Sequence, residues 1–324
     1  MFFFRRKKPV DALPDIGLVL DGGGARGPFQ IGVDFALMKF GLHSHIKGIA
    51  GASVGGFMAV IHAMDDPKKG YALWSQIDNK IILPFKKEKL KTVKDAVLEK
   101  KGVFSRDGLV DILNSNVDLG YLMKNTKYPV YLSLAKEVKD GKGRTVSYEA
   151  EYKKINGLPS KDILTLLLAT SAIPYVFDPV GYEGHTYVDP MKADNEPFEP
   201  LIQNVDGLDM LFIEPLNNSH YKHTYGDVPV PIVDFALPEL MEENKASMLD
   251  FKKENSENYV SLGYQTARLL LTLLKENGLL KKCAEPGQND RKYYSLKTFG
   301  INAVTFDKMD IESITLDALN QQEV

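Results

Sequence analysis

The chain has 324 residues, 44% of them hydrophobic, a formal net charge of −3 and a single cysteine, Cys283. That length and apolar share suit a globular core and exclude general disorder, while the weak net charge and the lack of a nucleic-acid motif leave no expectation of nucleic acid as a partner. One cysteine excludes an internal disulfide framework and a cysteine-based zinc site, so Cys283 reads as a small apolar filler.

The first ten residues, "MFFFRRKKPV", run apolar then basic, the reverse of a signal peptide. No stretch reaches the ~18 apolar residues that a spanning helix needs. The expectation is a cytoplasmic protein, peripheral at the membrane at most. Residues 1–14 then form a flexible apolar and basic terminus, with an anchor in an anionic interface as a minor alternative.

"IGLVL" at 16–20 is a short β-branched run closed by Asp21 and glycines, which predicts a buried strand. Phe29, Val33, Ala36, Leu37 and Phe40 then follow a helical stripe, with Gly41 where a C-cap belongs. "IKGIAG" predicts a second buried strand and "SVGGFMAVIHAM" a second helix. Strand, turn and helix repeated in this order imply a parallel sheet covered by helices. The lysine-rich 84–101 reads as a solvated helix face, with a membrane-facing basic patch as the alternative.

Ser105 is the expected N-cap of the next helix, and "YPVYLSLA" and "RTVSYEA" are strands joined by a hairpin signalled at Asp140-Gly141. "SKDILTLLLATSAIP" predicts a helix capped by Ser160 and stopped before Pro174, its leucines 164 and 166–168 assigned to the core. "HTYVD" and "DMLFIEP" are further strands. Residues 15–236 then form one domain, and 237–324, polar first and afterwards apolar and helical, form a helical extension packed on its core.

Two glycine-rich turns carry the chemistry. Gly51-Ala52-Ser53-Val54-Gly55 fits G-x-S-x-G between a predicted strand and a predicted helix, the context of a nucleophile elbow. Its small neighbours leave room for a strained serine at a helix N-terminus, where amides face developing negative charge. A plain tight turn is the alternative. Upstream, Gly22, Gly23 and Gly24 leave backbone amides open to an oxyanion or phosphate, and Gly27 lets the next helix pack closely. Gly22-x-Gly24-x-x-Gly27 also fits a dinucleotide fingerprint, but the second strand ends in Gly51-Ala52-Ser53 where an acidic residue should hold the ribose.

"DGGGARG" followed by "GASVGG" resembles the patatin-like phospholipase family, as do "GVFS" at 102–105, "ATSAIP" at 169–174 and "YVDPMKADNEP", in that order. The resemblance spans about residues 16–215. It implies a three-layer α/β/α patatin-like fold with a mostly parallel central sheet, and a lipid acyl hydrolase with a serine–aspartate dyad. It places the nucleophile at Ser53, the base at Asp189, and the oxyanion loop at Gly22, Gly23 and Gly24. Arg26 falls at the family's arginine position, to hold a phosphate or to brace the loop. Asn195 and Pro197 keep the family's spacing after Asp189, but Pro190 and Met191 replace its glycines. Proline removes an N–H and pushes Asp189 towards extended geometry. A catalytically impaired lipid-binding or partner-regulated protein is therefore the alternative reading, and Asp194 the alternative base.

No cofactor or metal is expected from the dyad chemistry. His220 and His223 read as a polar surface loop, His62 as helix packing, His185 as a rim residue and Ser171 as a turn residue. The expected partners are a phospholipid or other acyl-lipid substrate, a transient anionic membrane surface and an activating protein of unknown identity.

Overall fold

The computed structural model describes residues 12–84, 102–216, 228–236, 248–282 and 293–307. The N-terminal decapeptide, most of the lysine-rich segment, His220, His223 and Cys283 lie outside them.

The apolar runs pair into one mixed sheet. Strands β1 (Ile16–Leu20), β2 (Ile46–Ala52), β3 (Val130–Lys139), β4 (Thr145–Lys154), β5 (Val180–Tyr182), β6 (His185–Val188), β7 (Met210–Glu214), β8 (Ile232–Asp234) and β9 (Tyr293–Tyr294) lie in the order 5-6-3-2-1-7-8-9, with β4 also on β3. The β1–β2, β2–β3, β1–β7, β7–β8 and β8–β9 pairs are parallel, and β3–β4, β3–β6 and β5–β6 antiparallel. β1 sits between two parallel neighbours and is buried on both faces, which is why its sequence runs apolar without alternation.

The two faces are covered unequally. Ile16, Leu18 and Leu20 point into the larger core with α1 (Pro28–Lys39), α2 (Val54–Ala63) and the long helix Lys253–Glu276. Val19 and Ala50 point the other way, towards Leu201 on the short helix Glu199–Asn204. The long helix packs along α1 at a glycine-to-glycine crossing: a Cβ on Gly263 would stand 1.9 Å from the Phe29 carbonyl oxygen, and one on Gly32 2.1 Å from that of Val260.

Three local expectations shift. Pro159, not Ser160, occupies the N-cap of the helix Ser160–Thr170; Ser160 Oγ instead accepts from the Gly120 amide at 2.9 Å and donates to Asp118. Ser105 lies one position before the Arg106 cap of the helix Asp107–Asn116, yet its Oγ accepts from the Asp107 amide at 3.2 Å. In the β3–β4 hairpin the left-handed residue is Gly143, because the Asp140 carboxylate gathers the Lys142 and Arg144 amides and moves the tight position beyond Gly141. The C-terminal segment is not helical throughout, since Tyr293–Tyr294 adds an edge strand to the sheet.

Candidate active site

The register of β1 on β2 brings both glycine-rich turns to the same end of the sheet, Leu20 pairing with Gly51. The chain then turns sharply at Ser53, whose φ of 53° and ψ of −123° place it outside the regions open to ordinary side chains. This turn needs its glycines for close approach. A Cβ on Gly51 would meet the Gly55 oxygen at 2.3 Å, and one on Gly55 the Leu20 oxygen at 2.2 Å. α2 starts at Val54, so its N-terminus abuts the serine.

Two hydrogen bonds hold the strained residue. The Ser53 amide donates to Thr170 Oγ1 at 2.8 Å, and Thr170 Oγ1 donates to the Ser133 carbonyl at 2.7 Å, tying the elbow to the end of the "ATSAIP" helix and to β3. Ser53 Oγ donates to Asp189 Oδ2 at 2.6 Å. Both residues are buried, Asp189 to 2% exposure.

Pro190 and Met191 do not separate the pair. Pro190 opens a 3-10 turn, Pro190–Lys192, with Asp189 as its cap at φ −54° and ψ 133°, the extended geometry that a following proline favours. The Met191 amide donates to Asp189 Oδ1 at 3.0 Å, so the turn itself supplies a hydrogen bond to the carboxylate. Burial pushes the Asp189 carboxyl up to about 6 against the opposing pull of the bonds from Ser53 and the Met191 amide. Asp194 is committed elsewhere: its carboxylate accepts from Tyr152 OH at 2.6 Å and from the Glu196 amide.

The upstream loop lies against the serine. A Cβ on Gly22 would touch Ser53 Cβ at 2.8 Å, and Gly24 adopts φ +60° before the 3-10 turn Gly24–Arg26. Asn195 Nδ2 donates to Asp21 Oδ1 and to the Gly22 carbonyl, and Asp21 Oδ2 accepts from the Leu216 amide at 3.1 Å. Arg26 is buried and donates to the Leu216 carbonyl at 2.8 Å, a contact that fits bracing of the loop. Gly27 packs beneath Val54 and Met58.

An apolar cleft opens at Ser53. Its walls include Phe57 and Ile61 of α2, Trp74 of α3 (Pro67–Trp74), Leu113, Phe177 and Phe251. Of the leucines assigned to the core, Leu166 and Leu167 are buried there, while Leu164 and Leu168 are half-buried. Ser171 lines the cleft but returns its hydroxyl to the Leu167 carbonyl at 3.0 Å. His185 is exposed on β6, edge-on to Tyr187. His62 departs from simple helix packing: it stacks on His43 and its Nδ1 lies 3.1 Å from Asp34 Oδ1.

Sequence reasoning assigned no positioning role to Thr170, Asp21 or Asn195. Thr170 stands within the "ATSAIP" block and Asn195 at its family spacing, but their partners lie more than a hundred residues away in sequence.

The patatin-like phospholipase family model matches residues 18–202, more than half of the chain. No curated protein gives a sequence match. Among solved structures, human GIVD cytosolic phospholipase A2 superposes with a TM-score of 0.51 at 10% identity, over 83% of this chain and 60% of that one. VipD from Legionella pneumophila gives 0.40 at 14% identity, over 82% and 68% respectively. ExoU, in its complex with SpcU from the type III secretion system of Pseudomonas aeruginosa, gives 0.34 at 17% identity, over 78% and 53%. The chain thus spans about 60% of the human enzyme's length.

Proposed function

The chain belongs to the patatin-like phospholipase family, and from that membership we propose that it is a lipid acyl hydrolase working through an acyl-Ser53 intermediate with Asp189 as the base. The observation that carries this reading is the 2.6 Å hydrogen bond from Ser53 Oγ to Asp189 Oδ2 at the mouth of an apolar cleft.

In the first step Asp189 takes the Ser53 proton as Oγ attacks an ester carbonyl, and the proton passes to the departing alcohol. The developing oxyanion would sit by the amides of the Gly22–Gly24 loop and of Val54, at the N-terminus of α2. The Gly23 and Gly24 amides have no acceptor among the described residues, which leaves them available for this task. Water, deprotonated by Asp189, then releases the fatty acid. The raised carboxyl value suits a base poised near neutral pH better than an ordinary aspartate would. The cleft walls are apolar, as a fatty acyl chain requires.

The substrate is proposed to be a phospholipid met at a membrane surface. No helix among the described residues is long and apolar enough to cross a membrane.

The test is fatty-acid release from mixed phospholipid vesicles, read by mass spectrometry, for the wild type, Ser53→Ala and Asp189→Ala. Release lost in both variants supports the dyad, and the products name the substrate. Release that persists in Asp189→Ala removes Asp189 as the base. Vesicle binding without release by any form favours the lipid-binding alternative.

A further inference from the structure

A second cluster of reactive side chains lies away from the cleft, where three elements meet. Asp34 comes from α1, His43 from the 3-10 turn His43–His45, and His62 from the last turn of α2. Asp34 Oδ1 is 3.2 Å from His43 Nε2 and 3.1 Å from His62 Nδ1. The three residues are 3%, 8% and 4% exposed.

These distances suit hydrogen bonds, but the directions do not. Neither Asp34 Oδ1 nor His43 Nε2 has a hydrogen-bond partner among the described residues. A buried polar atom left in that state is costly, and a buried carboxylate with no cation more so. Ligand atoms bonded at 2.0–2.1 Å around a tetrahedral ion stand about 3.3 Å apart, close to the spacing of these atoms. The two rings stack with centroids 4.3 Å apart, which keeps both imidazoles beside the same carboxylate.

The surroundings are those of a metal ligand set. His43 Nδ1 lies 3.0 Å from Asp65 Oδ1, the carboxylate-behind-imidazole arrangement common at metal-ligating histidines. Asp34 and His62 also border a small cavity with Gln30 and Glu214, open on the side of the cluster where a fourth ligand would stand.

We propose that Asp34, His43 and His62 bind a divalent ion of the zinc class in a two-nitrogen, one-oxygen site separate from the dyad. Ser53 and His62 stand at opposite ends of α2, about 13 Å apart at 1.5 Å rise per residue. The ion therefore clamps the far end of the helix that carries Ser53 to α1 and to the turn before β2. Its role is structural, and it does not depend on the hydrolase reading.

The experiment uses the full chain without a polyhistidine tag, loaded with Zn2+ or Co2+ and dialysed. Elemental analysis should find about one ion per chain, and Co2+ should give the visible absorption of tetrahedral coordination. His43→Gln and His62→Gln should abolish both signals. Asp65→Asn, a change at an exposed side chain, should weaken binding roughly 10–100-fold, which keeps the test informative if the buried variants do not fold. His220→Ala/His223→Ala should bind as the wild type does. A chain that retains no ion, cobalt absorption of octahedral type only, unchanged affinity in Asp65→Asn, or binding lost with His220 and His223 would each overturn the proposal.

Discussion

An aspartate in water is too acidic to take a proton from serine readily, and burial is what changes Asp189. With its carboxyl raised to about 6, hydrolysis should be constant near pH 8 and decline below about pH 6, as protonation removes the proposed base. A rate profile against pH on one vesicle composition checks this. The same burial has a stability sign. The folded-state value lies above the unfolded 3.8, so the contribution is fully present below pH 3.8 and is lost as pH rises through about 6. Asp189→Asn should therefore be inactive yet more stable than the wild type at pH 8, on the order of 2–3 kcal/mol, with the difference vanishing by pH 4 in urea melts. Thr170→Val leaves the buried Ser53 amide unpaired, which costs about 1–3 kcal/mol of stability. If Thr170 positions the nucleophile, kcat should also fall roughly tenfold with KM unchanged. The meeting of Ser53 with Asp189 was legible because the serine sits in a glycine-flanked turn and the aspartate in a block that resembles the family's. Thr170 was not, because its role rests on a contact 117 residues away. Arg26 left two readings open, and its bond to the Leu216 carbonyl, also distant in sequence, is compatible with bracing the loop.

At the scale of elements, the strand and helix predictions over 16–63 agree closely with the structure. Glycine and polar residues punctuate apolar runs there, and the local signal matches the tertiary outcome. The caps at Ser105 and Ser160 shift by a residue because each hydroxyl finds a partner that the sequence window alone does not weigh. The α1 crossing with the helix Lys253–Glu276 was outside any local pattern, since Gly32 and Gly263 make sense only when the two backbones touch. Gly263→Ala should gain about 1 kcal/mol of helix propensity and lose more, a net destabilisation of roughly 1–3 kcal/mol, because a Cβ 1.9 Å from the Phe29 oxygen forces the helices apart. Gly141→Ala, with nothing within 4 Å and no left-handed φ, should change stability by less than about 0.5 kcal/mol. Urea melts of the two variants provide the comparison.

At the scale of the whole molecule, the parallel strands β1 and β2 end together, and β6, running antiparallel on the longer β3, returns the chain to that same end of the sheet. The glycine loop, the elbow and the Asp189 turn come from residues 21–27, 51–56 and 189–192, and only the sheet's register makes them neighbours. The family motifs allowed that assembly to be read in advance. The edge strand at 293–294 and the Asp34–His43–His62 cluster belong to no such motif and became visible only in three dimensions. The central claim concerns one atom, Ser53 Oγ. Incubation with a long-chain alkyl fluorophosphonate, followed by peptide mass spectrometry, tests it directly. The account predicts a single adduct on the peptide containing Ser53, absent from Ser53→Ala and strongly slowed in Asp189→Asn. An adduct on Ser171 instead, or continued fatty-acid release by a chain whose Ser53 never reacts, would contradict it.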